Sequence, residues 1–135
     1  MSTVTGVRSL IRDELAGELG VEFVDGKLEG PVERQDIGCV WAEGAQEQED
    51  NVLYQWVTIM ARVFLNYTMN RRGTRPLDPL PLEDLAERIQ LSLRDKQATE
   101  FGCEQLTVTG YGIDHERQAV EVTIMVNMLN PFSLI

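Results

Sequence analysis

The sequence predicts an α+β fold: an antiparallel or mixed β-sheet with a long central hairpin and two helices packed on one face, in a single domain of 135 residues. Three observations predict it. Tyr54–Tyr67, YQWVTIMARVFLNY, alternates at period two over its whole length, the pattern of a long strand. Two stretches, about 5–19 and 81–95, repeat their apolar residues at helical spacing. Two further strand-like segments, 104–113 and 118–129, flank Asp114-His115-Glu116-Arg117 and read as a hairpin.

Taken in order, Thr3-Val-Thr5 offers hydroxyls to cap the first helix. Val7, Leu10, Ile11, Leu15 and Leu19 form its apolar stripe, and Gly20 is its expected stop. Val21–Gly30 has Asp25-Gly26 at its centre, which suits either a small hairpin or an extended segment with a turn. Ile37–Trp41 reads as a short strand with Ile37, Cys39 and Trp41 on one face. The polar, acidic run at 42–51, AEGAQEQEDN, reads as a loop joining that strand to the long one as an antiparallel hairpin.

The long strand places Val57, Ile59, Ala61, Val63, Leu65 and Tyr67 on a core face. β-branched and aromatic residues suit such a pleated surface. Trp56, Thr58, Met60, Arg62, Phe64 and Asn66 share the other face, which is richer in large apolar groups than a solvated one. Either a second layer of the chain's own residues packs there, or another subunit covers it. Thr68–Pro81, TMNRRGTRPLDPLP, is a second loop, basic through Arg71, Arg72 and Arg75 and interrupted by three prolines. Pro81 opens the second helix, whose stripe is Leu82, Leu85, Ala86, Ile89 and Leu93. In the last strand Val120, Val122, Ile124, Val126 and Met128 point one way, and Asn130-Pro131 stops it.

The charge is −10, and it is concentrated early: the first fifty residues carry twelve acids against four bases. That balance argues against nucleic-acid binding through a basic patch. No apolar run approaches membrane-helix length, and the amphipathic start has no signal-peptide core. Assembly in a cytoplasm is the expectation, with Cys39 and Cys103 as buried free thiols rather than a pair.

Catalytic signatures are absent from the sequence. The one histidine, His115, falls in a hairpin turn. With Cys39 and Cys103 it forms no zinc spacing, so no metal or cofactor is expected. The glycines match no phosphate-binding loop, and the serines lie in no nucleophile elbow. The chain does not read as an enzyme. Acidic loop residues Glu43, Glu47, Glu49 and Asp50 read as solvated carboxylates, as part of the negative wall of a conduit, or as partners of the arginine loop on a neighbour, where complementary charge sets orientation.

The order of elements then has a family likeness. VRSLIRDELAGELG, DIGCVWAEG with its acidic loop, VTIMARVFLNY, PLDPLPLEDLAERIQ and the hairpin LTVTGYGID with AVEVTIMVNMLN together resemble the tail terminator (tail completion) proteins of long-tailed bacteriophages with non-contractile tails. The resemblance spans nearly the whole chain and rests on element order rather than on a short signature. It implies a homo-oligomeric ring, usually a hexamer, at the head-proximal end of the tail tube. Its partners would be the tail tube protein and a head-closure or neck protein. DNA would pass through a lumen whose negative charge repels it, and no membrane is involved. Trp56, Met60, Arg62, Phe64, Arg71, Arg72 and Arg75 are the candidate subunit contacts. The alternatives are another head–tail neck component (a head-closure or adaptor protein), a tail tube subunit, or a small-molecule-binding or enzymatic α+β domain.

Overall fold

A computed structural model describes residues 3–29, 37–48, 53–64 and 79–129, with 79–81 by backbone alone. Helix α1 runs Val4–Leu19. The Thr3 hydroxyl accepts the Gly6 amide at 3.0 Å to start it, and Gly20, left-handed with φ of 65°, ends it. Val7, Ile11 and Leu15 are buried, four residues apart on one narrow stripe. Leu10 is off that stripe and 44% exposed, so its placement in the apolar face is corrected.

Strands β1 (Glu22–Asp25), β2 (Ile37–Glu47) and β3 (Tyr54–Phe64) follow, then helix α2 (Pro79–Arg94) and a 3-10 turn at Ala98–Phe101. Strands β4 (Gln105–Asp114) and β5 (Ala119–Leu129) complete the described elements. The described strands form one open mixed sheet in the order β1-β2-β3-β5-β4. Only β1–β2 is parallel; β2–β3, β3–β5 and β4–β5 are antiparallel. Both helices lie on one face. There Val57, Ile59, Ala61 and Val63 of β3 and Val120, Val122, Ile124 and Val126 of β5 pack with Val7, Ile11, Leu15, Leu82, Ile89 and Leu93. Each of the valines, isoleucines and leucines contributes about 1.5–3 kcal/mol by leaving water. The predicted α+β class, central hairpin and one-sided helices are all present.

Three boundaries differ from expectation. The acidic stretch is not a loop from residue 42: β2 continues to Glu47, with Ala45 opposite Val57 and Glu47 opposite Gln55. Its backbone is paired although its side chains are exposed, so apolar patterning was blind to it. Val21–Gly30 is not a hairpin; β1 is the extended alternative, and Gly26, with φ of 98°, turns the chain away while its N–H donates to the Val40 carbonyl. Helix α2 begins at Pro79, two residues early, because first-turn prolines give up N–H groups that have no helical partner.

Parallel neighbours cannot be joined by a tight turn. The described part of the β1–β2 connection, Gly26–Glu29, crosses the face opposite the helices and packs on it through Leu28. On the helix side of the sheet Phe23 packs in the core and lays its ring over Gly38. A Cβ at Gly38 would sit 2.5 Å from that ring. Cys39 and Cys103 are both free and buried, as expected. Leu65–Tyr67, the arginine loop and the final residues lie outside the described residues.

Candidate functional site

The pleat of β3 sends Trp56, Thr58, Met60, Arg62 and Phe64 to the face away from the helices. Register then decides each one's neighbours. Phe64 lies between Ile37 and Ala119, Arg62 between Cys39 and Glu121, and Met60 between Trp41 and Thr123. Trp56 lies between Gln46 and Asn127. A bulge between Ala42 and Gly44 takes up Glu43 and keeps this alternation in phase on both sides.

One half of the face is closed. Phe64 is 0% and Met60 9% exposed, packed with Ile37, Ala119, Cys39 and Trp41 beside Val24 and beneath Leu28. Arg62 ties this half together. Its Nε and Nη2 donate to Glu121 Oε2 at 2.8 and 2.5 Å, and its Nη1 donates to the Leu28 carbonyl at 2.8 Å. The guanidinium also lies 4.9 Å from the Trp41 ring centre, with Lys27 at 5.6 Å from the same ring. Arg117 Nη1 donates to the Glu29 carbonyl at 3.0 Å, and the Leu28 amide approaches Cys39 Sγ at 3.5 Å. Gly26–Glu29 is thus a strap, held by side chains from β2, β3 and the β4–β5 turn. Under it, burial pushes the Cys39 thiol up, which the Leu28 amide and the Arg62 charge oppose.

The other half is open. Trp56, Thr58, Met125 and Asn127 are half-buried, and no described residue straps them. The Thr58 hydroxyl meets Met125 Sδ at 3.1 Å, and the Gln48 amide donates to Asn127 at 2.8 Å. This is a half-buried, mostly uncharged surface with one large aromatic ring.

The expected contact set is therefore divided. Met60 and Phe64 are sealed by the chain's own strap and are corrected from neighbour-facing to internal. Arg62 already has its partners within the protomer, and Trp56 remains accessible. Glu43 is on β2 at the bulge, where the Trp41 indole N–H donates to its carboxylate; Glu47 ends β2. Glu49, Asp50, Arg71, Arg72 and Arg75 lie outside the described residues. Sequence reasoning missed Leu28, Arg117 and Glu121, because their roles exist only once β5 is paired with β3 and the strap is laid down. Arg62 on a face of large apolar groups was the one local signal.

Among the described residues no three metal-ligating side chains converge. The groove of about 240 Å³ beside Arg62 is lined by Phe64, Asp114, Arg117 and Glu121. Its two arginines are already paired with Glu121 and Asp114. His115 is exposed in the turn. No family model matches the chain, and no curated protein matches it.

Proposed function

We propose that this chain is a structural subunit of a phage tail, which closes into a ring at the head-proximal end of the tail tube, ends tube growth and presents the surface that joins the head. The observation that carries the reading is a sheet with helices on one face and an accessible, largely uncharged half-face around Trp56 on the other. A heterologous contact through such a surface ends lateral growth when its rotation closes. The charge of −10 suits a lumen that lets DNA slide past without counterion-releasing contacts. With Met60 and Phe64 covered by the strap, the contact in this reading falls on Trp56, Thr58, Met125 and Asn127. Arg71, Arg72 and Arg75 would meet the acidic Glu47–Asp50 segment of the next copy.

The test is assembly on purified tail tubes viewed by negative stain. A ring at one tube end and uniform tube length are the expected result; tubes of uncontrolled length despite added protein would defeat the reading. Trp56→Ala should lose the ring while the monomer stays folded by circular dichroism. Changing all three loop arginines to Glu should do the same. Long tubes formed by the protein alone would make it a tube subunit instead.

A further inference from the structure

We propose that the edge of the sheet formed by β4 among the described residues, where α2 lies beside it, is a two-fold contact between copies of this chain. Leu91 is 55% and Tyr111 49% exposed, and both line one open groove of about 400 Å³ with Glu87, Gln90 and Arg94. A single exposed leucine is ordinary, but two large apolar side chains converging from a helix and an edge strand mark a contact surface. Among the described residues β4 is paired on one side only, and it carries no charge before Asp114. Edges of this length are usually guarded by lysine, proline or a covering element. The irregularity between Val108 and Gly110 divides the strand into two regular stretches, Gln105–Val108 and Gly110–Asp114, the second of which carries Tyr111.

Charge identifies the occupant. Glu87, Leu91 and Arg94 stand at i, i+4 and i+7 on α2, so they share one stripe: acid, leucine, base. Against a copy running the opposite way, Glu87 of each helix faces Arg94 of the other, and Leu91 packs on the copy's Leu91 and Gln90. An antiparallel helix pair and an antiparallel edge pair both need a two-fold axis. Leu91 and Tyr111 share one groove, so a single axis at that level serves both. The surface is its own complement, as an isologous contact requires. One helix and a short edge segment per partner fall below the roughly 1,200 Å² of standard interfaces, so the dimer is weak and concentration-dependent. This contact closes at two copies, uses a different face from Trp56, and does not rest on the ring reading.

Sedimentation equilibrium over a wide concentration range tests it. The expected result is a reversible monomer–dimer equilibrium that Leu91→Asp weakens at least about tenfold. Glu87→Arg or Arg94→Glu alone should weaken it by setting like charges opposite each other; the two together should restore it. Urea denaturation confirms that each variant is folded. A protein that stays monomeric at its highest concentration overturns the proposal. So does a dimer indifferent to Leu91→Asp, or a double swap that fails to rescue. Tube capping that persists in Leu91→Asp is expected here and leaves the ring reading standing. Capping lost in Trp56→Ala with the dimer intact supports both.

Discussion

The two halves of the sheet's outer face are laid down by the same strands, yet one is interior and the other is surface. At the Phe64 end, Leu28 lies over Ile37, Cys39, Trp41 and Met60 with Val24 beside Cys39, and Arg62 is paired within the protomer. At the Trp56 end the same pleat presents Thr58, Met125 and Asn127 half-exposed. Alternation along β3 tells which face a side chain takes. It does not tell what lies above that face, because the cover comes from residues 26–29, more than thirty positions upstream of Phe64.

The largest test of that contrast is paired truncation. Phe64→Ala should cost about 3–5 kcal/mol in urea denaturation, as for a fully buried aromatic. Trp56→Ala should cost under about 1 kcal/mol. Equal costs would mean that the two halves are equally internal. Next comes Arg62→Met, which keeps the stem but removes the donors to Glu121 and Leu28. The loss should be about 2–3 kcal/mol, below that of a fully buried pair because Glu121 keeps 36% of its side-chain surface. Gly38→Ala drives a methyl into the Phe23 ring and should cost about 1–3 kcal/mol. If the strap depends on β1, the same change should also speed labelling of Cys39 by a thiol reagent in the native state.

The smallest effect is a pH dependence. Burial raises both thiols, Cys103 to about 11 with Glu104 adding to the rise. On raising the pH the unfolded chain loses these protons first, near the ordinary thiol value of about 8.5. The thiols' contribution to stability is therefore full below that value and lost as the pH climbs towards 11. Urea midpoints should fall between pH 8 and pH 10.5, and Cys103→Ala should flatten part of the fall.

Both helices, the long strand and the last hairpin were legible because each writes its burial into its own periodicity. The second half of β2 was not: Ala42–Glu47 earns its place through backbone bonds to β3 while its side chains face water. The parallel pairing of β1 was illegible for a related reason, since four residues carry too little pattern to choose a partner. Of the candidate contacts, Trp56 was found by its type and face alone. Phe64 was misassigned because a strap and a neighbour leave the same mark on a strand.

The seam between β3 and β5 has a consequence for how the molecule comes into being. Tyr54 pairs with Leu129 and Phe64 with Ala119, partners far apart along the chain, whereas β2–β3 and β4–β5 close over local connections. Two hairpins can form early, and the slow event is their docking side by side, which must first overcome the entropy of closing the long intervening loop. On the ribosome, β3 therefore waits with one rail of hydrogen-bonding groups unmet until the β5 residues have emerged. Over that interval the nascent chain is most exposed to misjoining.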